Sequence, residues 1–93
     1  MNIRQLDLNL LVVLDAIYTE GGITAAGRRL HLTQPAVTHA LNRLRGHFND
    51  PLFVREGRKM VPTPLARNLI RPARRALRSI ELMLHEVDRF DPA

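Results

Sequence analysis

Ile23-Thr-Ala-Ala-Gly-Arg-Arg-Leu-His-Leu-Thr-Gln-Pro-Ala-Val-Thr-His-Ala-Leu-Asn-Arg-Leu44 holds a pair of short amphipathic helices, each opened by a threonine and joined by a turn of three to four residues. The first is expected behind Thr24 and the second behind Thr33, because each hydroxyl can accept from an orphan N–H of its own first turn. Pro35 falls in the first turn of the second helix, where a missing N–H costs little. Ala26, Leu30, Leu32, Val37, Leu41 and Leu44 fit a buried seam between the helices. Thr38, His39, Asn42 and Arg43 project on the other face, with Gln34 and Pro35 at its leading end. A helix with a packed back and a short, hydrogen-bonding, basic front is the reading element of a helix-turn-helix, which points to DNA.

The flanking segments extend this pattern. Upstream, Asp7 is a candidate N-cap for a helix whose apolar face is Leu10, Val13, Leu14, Ile17 and Tyr18, and Gly21-Gly22 stops it. Downstream, the helix begun at Thr33 runs to about Phe48 and breaks at Asn49-Asp50-Pro51. Leu52-Phe-Val-Arg55 and Met60-Val-Pro62 enclose the polar tip Glu56-Gly-Arg-Lys59, which reads as a small β-hairpin, a wing beside the helix-turn-helix. Thr63-Pro64 opens a long helix reaching about Arg89. Along it Leu69, Ala73, Ala76, Ile80, Met83, Val87 and Phe90 alternate spacings of four and three, the pattern of a coiled-coil seam. A helix of 26 residues is about 39 Å long, more than so small a domain can cover. Some of its stripe needs another surface, and a second copy is the simplest candidate. Pro72 predicts a kink in this helix, or a start nearer that residue. The fold class expected is mainly α: a winged helix-turn-helix of three helices and a short β-hairpin over 1–62, a linker and dimerisation helix over 63–90, and the start of a hinge at 91–93.

Charge supports the same partner. The 93 residues carry a net charge of +5, unevenly spread. Residues 1–22 sum to −2, residues 23–78 to +10 and residues 79–93 to −3, and thirteen of the fourteen basic residues are arginine. A basic block between acidic ends is an electrostatic footprint for nucleic acid, and arginine suits bidentate phosphate and guanine contacts. Cysteine is absent, so neither disulfides nor a thiolate metal site is available, in keeping with a reducing cytoplasm. No run of apolar residues approaches a membrane span, and no signal pattern opens the chain. His31, His39, His47 and His85 show no metal-ligand spacing, and no Ser/His/Asp set, phosphate loop or carboxylate pair marks an enzyme.

Several runs together resemble the N-terminal domain of LysR-type transcriptional regulators. They are Leu6-Asp-Leu-Asn-Leu-Leu11, Thr24-Ala-Ala26, Leu32-Thr-Gln-Pro-Ala-Val-Thr38, Leu41-Asn-Arg-Leu44, Asp50-Pro-Leu-Phe-Val-Arg55 and Pro62-Thr-Pro64. The first and fifth runs look most like the branch containing the NahR and NodD regulators. The resemblance implies a C-terminal effector-binding domain beyond Ala93, so that any small-molecule inducer is sensed outside this fragment, which itself needs no cofactor. It also implies linker helices that pair antiparallel, a homodimer on an interrupted dyad with T and A at its ends, and tetramers in the full-length protein. Thr38 stands where many members have serine and keeps the hydroxyl for a phosphate. His39 stands where several have arginine, which leaves the base contact there open.

Roles can be assigned to single side chains. Gln34 can bond bidentately to an adenine edge, and Pro35 and Ala36 can touch a thymine methyl. Thr33 can serve as cap and phosphate ligand, while Thr24 is foremost a cap. Asn42 and Arg43 lie one turn on, with Arg43 in reach of a guanine or a phosphate. Arg58 is the candidate for minor-groove insertion, and Arg55 and Lys59 for phosphates. Arg67, Arg71, Arg74, Arg75 and Arg78 are expected to form mostly a solvated flank of the long helix. Two other readings share these features: a basic architectural protein with no chosen site, and a protein-interaction module working through the stripe on helix 64–89.

Overall fold

The computed structural model describes residues 1–90; the proposed hinge at 91–93 lies outside the described residues. Its elements run α1 (Asn9–Glu20), α2 (Ile23–Leu30), α3 (Gln34–Phe48), β1 (Phe53–Glu56), β2 (Lys59–Pro62) and α4 (Pro64–Arg89). The three-helix, hairpin and long-helix order expected from the sequence is the one observed.

Each boundary has a local cause. At α1 the N-cap position is Leu8 rather than Asp7, whose carboxylate accepts from the Asn9 N–H at 2.9 Å. Gly21 ends α1 with φ 73, a left-handed conformation that glycine adopts without steric cost. The expected cap at Thr24 is corrected: α2 starts at Ile23, with Gly22 extended at the cap position and no side-chain cap bond. Thr24 is an exposed residue of its first turn. The chain leaving Gly21 already runs extended, so α2 can begin without a hydroxyl. Thr33 does cap α3, accepting from the Ala36 N–H at 3.2 Å, and Thr63 caps α4, accepting from the Ala66 N–H at 3.2 Å.

Between α2 and α3 the turn is three residues, 31–33. His31 is left-handed (φ 58), and the Leu32 N–H returns to the Gly27 carbonyl at 2.8 Å. A Cβ on Gly27 would stand 2.8 Å from the Leu32 carbonyl oxygen, so the tightness of the turn depends on a bare backbone there.

One core lies where α1, α2, α3 and the hairpin meet. Leu14, Ile17, Val37, Leu41, Leu44, Leu52 and Phe53 are its largest fully buried side chains. Tyr18 meets Phe53 edge-on, with ring centroids 6.4 Å apart. Of the seam expected between α2 and α3, Ala26, Val37, Leu41 and Leu44 are buried and Leu30 is half-buried; Leu32, 42% exposed, does not belong to it. Leu32 sits in the turn, where the left-handed His31 has just reversed the chain, and so falls off the helical face.

Asp50 ties the hairpin to both neighbouring helices. Its Oδ1 accepts from the Leu52 N–H at 2.7 Å and from the Thr63 hydroxyl at 2.9 Å. The Thr63 N–H donates to the Leu52 carbonyl at 2.8 Å. Leu52 is held at φ 63, a costly conformation for a leucine, inside this closed loop. β1 and β2 pair antiparallel from Phe53↔Pro62 to Glu56↔Lys59, around the two-residue tip Gly57-Arg58. Gly57 has φ 62, as the first tip position of a tight hairpin favours. The Met60 N–H donates to the Gly21 carbonyl at 3.0 Å, holding the hairpin against the α1–α2 corner.

α4 is continuous through Pro72, so a start nearer that residue is ruled out. The proposed division at residue 62 does not mark off a separate body: Ala66 and Ala73 lie in the same core as α1 and α3, with Leu65, Leu69 and Leu77 half-buried against it. Arg74 fastens this half. It donates to the Asp15 carboxylate at 2.7 Å and the Thr19 hydroxyl at 2.9 Å, and its guanidinium lies 5.3 Å from the Tyr18 ring centre. The reading of the linker arginines as a solvated flank is therefore corrected at Arg74. Beyond Ile80, Met83, Leu84, Val87 and Phe90 are exposed at 54–73%.

Candidate nucleic-acid interface

The front of α3 follows from its buried back. With Val37, Ala40, Leu41 and Leu44 facing the core, helical spacing turns Gln34, Pro35, Thr38, His39 and Asn42 outward, and these five line one shallow depression. Gln34, Pro35, Ala36, His39 and Asn42 are exposed, and Thr38 is half-buried. Thr33 uses its oxygen as the cap acceptor and keeps its hydroxyl proton for an outside acceptor.

Around the corner of Gln34 lies a second concavity, a groove between the start of α2 and the hairpin. Thr24, Arg28, Gln34, Arg55, Arg58 and Lys59 line it, together with the Gly21-Gly22 backbone and Glu20 at its rim. Thr24, Gln34 and the three hairpin cations, far apart in sequence, are thus brought together. Arg28 is the residue missing from the sequence-based set. Its signal was present, as a basic residue four positions after Thr24 and hence on the same helical face.

Ion pairing separates the cations. Arg29 pairs with Glu20 at 3.4 Å and Asp15 at 4.0 Å, Arg74 with Asp15, and Arg78 with Glu81 at 3.7 Å. Arg28, Arg55, Arg58 and Lys59 make no ion pair among the described residues. Exposed, unneutralised positive charge in a groove concentrates potential for an anion. Arg43 stands apart: it reaches back to Asp7 at 3.5 Å and lines neither concavity. Arg45, a plain helix residue in the sequence reading, bridges α3 to the hairpin. Its Nε donates to the Pro51 carbonyl at 2.7 Å, Nη2 to the Phe53 carbonyl at 3.0 Å and Nη1 to Asn42 Oδ1 at 3.2 Å.

The residues assigned to dimerisation divide. Ala73 is buried in the core, Leu69 and Ile80 are half-buried, and Ala76, Met83 and Val87 are exposed. No three His, Cys, Asp or Glu side chains converge among the described residues, and no described helix is long and apolar enough to cross a membrane.

A helix-turn-helix with a β-hairpin wing, presenting a hydrogen-bonding helix front beside a cationic groove, defines a DNA-binding domain of the winged type. Residues 8–67 match the family described as bacterial regulatory helix-turn-helix protein, lysR family, and the chain belongs to that family. It is 53% identical over 93 residues to nodulation protein D 1 of a Bradyrhizobium species, covering 100% of this chain and 30% of that protein. Among solved structures, a probable transcriptional regulator from Pseudomonas aeruginosa superposes with a TM-score of 0.88 at 41% identity, over 97% of this chain and 30% of that one. The DNA-binding domain of CbnR, solved in complex with DNA, gives a TM-score of 0.76 at 28% identity, over 90% of this chain and 93% of that one. The chain therefore spans about 30% of the length of the curated relatives it matches. The family is one of transcriptional regulators rather than catalysts.

Proposed function

We propose that this domain reads double-stranded DNA sequence-specifically, with α3 in the major groove and the hairpin tip in the adjacent minor groove. The observation behind the proposal is the position of Gln34, which lines both the hydrogen-bonding front of α3 and the groove of unpaired cations. A duplex laid on the first necessarily brings its backbone to the second. Gln34, Pro35 and Ala36 then meet base edges, with Thr38, His39 and Asn42 one turn on. Thr24, Thr33, Arg28, Arg55 and Lys59 meet phosphates, and Arg58 enters the minor groove. Arg43 contacts DNA only by leaving Asp7, which makes it a secondary ligand.

The exposed apolar side chains Met83, Leu84 and Val87 on the outer half of α4 favour pairing with a second copy. Two copies would place their α3 helices on the halves of an interrupted dyad with T and A at its ends. The greater length of the relatives supports a longer regulator acting in the cytoplasm, whose effector domain would take a small-molecule inducer and whose dimers would pair into tetramers. In that reading the present domain needs no cofactor of its own.

The proposal is tested by fluorescence anisotropy on a labelled duplex at rising salt. If a dimer neutralises roughly eight phosphates, log K falls against log[salt] with a slope near −7. Affinity that is absent at low salt, or flat in salt, contradicts it and leaves α4 as the working surface of a protein-interaction module.

A further inference from the structure

Asn42 is exposed on the front of α3, yet it is not a free carboxamide. Its Oδ1 accepts from Arg45 Nη1 at 3.2 Å. A guanidinium has donors only, so the atom turned to it must be the amide oxygen and not the nitrogen. Arg45 is itself fixed at two other nitrogens, by the Pro51 carbonyl at 2.7 Å and the Phe53 carbonyl at 3.0 Å, and it is half-buried at the α3–hairpin junction. The hairpin backbone thus orients Arg45, and Arg45 orients Asn42. What the carboxamide has left to offer beside Pro35, Thr38 and His39 is its NH2 group.

We infer that Asn42 reads its base as a hydrogen-bond donor held in place by Arg45, and so selects an acceptor edge in the major groove. This rests on the proposed docking of α3. A freely rotating asparagine would favour adenine, bonding N7 with its NH2 and N6 with its oxygen. With the oxygen drawn to Arg45 that bidentate pairing is disfavoured. The partner that fits is an edge rich in acceptors, guanine N7 and O6 first and thymine O4 second. Arg45 is a positioning residue here and touches no base.

The test is selection from random duplexes with sequencing of the bound pool, run on the wild-type chain and on Asn42→Ala, Asn42→Asp and Arg45→Lys. The wild type should select guanine or thymine at one position of each half-site, and Asn42→Ala should lose that preference alone, by about 5- to 150-fold. Asn42→Asp keeps an oxygen for Arg45 but removes the donor, so the same position should turn to cytosine, whose N4 donates. Arg45→Lys should relax that position while the Gln34-dependent positions stay sharp, an outcome that a general loosening of the fold would not give. Adenine selected by the wild type at the Asn42-dependent position overturns the inference. So does an Asn42→Asp pool identical to the wild type, or an Arg45→Lys pool unchanged at that position. A wild-type chain that binds DNA but enriches no sequence refutes instead the sequence-specific reading on which the inference stands.

Discussion

Gln34 carries a carboxamide and Lys59 a point charge, and both line the same groove beside α2. A carboxamide can distinguish one base edge from another, whereas an ammonium on a phosphate gains the same from every sequence. Gln34→Ala should therefore narrow the gap between selected and random duplexes by about 1–3 kcal/mol. Lys59→Ala should weaken all duplexes alike and reduce the salt slope by about 1, and anisotropy on paired duplexes checks both. Identical behaviour of the two variants contradicts this division of roles. Asp50 is the residue on which the hairpin's placement depends, because it alone accepts from both the Leu52 N–H and the Thr63 hydroxyl. Asp50→Ala should cost about 1–3 kcal/mol, seen as a fall in Tm of roughly 5–15 °C, with DNA affinity falling as the wing loses its anchor. These long-range partners were not legible in the sequence. Periodicity gives the face on which a residue lies, but not which of several exposed acids Arg29, Arg43 or Arg74 will meet, nor that Arg45 turns inward to two carbonyls.

Among the secondary-structure elements, the threonines separate cleanly. Thr33 and Thr63 cap α3 and α4, each followed closely by a proline that suits the first helical turn. Thr33→Ala and Thr63→Ala should each cost about 1 kcal/mol in thermal or denaturant unfolding. Thr24→Ala should cost almost nothing in the same assay, because α2 uses no side-chain cap, and should appear only as weaker DNA binding. Helices, hairpin and buried helix backs were readable because apolar spacing and glycine or proline punctuation agree there. Thr24 misled because a threonine before an apolar run looks the same at a cap as inside a first turn, and Gly21-Gly22 decides between them. The α4 stripe shows a second limit. Ala73 and Met83 belong to one apolar pattern, yet Ala73 is buried in this domain's core and Met83 is 60% exposed. The pattern says which face is apolar, not what covers it.

The molecule as a whole is elongated, 56 × 29 × 20 Å, with a radius of gyration of 14.8 Å against about 12 Å for a compact chain of this length. The excess is α4, whose inner half is packed against α1 and whose outer half carries an uncovered apolar stripe. Met83→Glu with Val87→Glu should leave monomer stability within about 0.5 kcal/mol, since both side chains are exposed. The same pair of substitutions should abolish self-association in sedimentation velocity and weaken binding to a two-half duplex far more than to a single half-site. A double variant that still dimerises would locate the contact elsewhere. Whether this domain reads DNA by sequence as a pair of winged helices is decided by selecting the wild-type chain on random-sequence duplexes and sequencing what it retains. Enrichment of an interrupted dyad with T and A at its ends is the expected result. Tight, salt-sensitive binding with no enriched sequence would contradict the pairwise reader and mark the domain as a general DNA-packing protein.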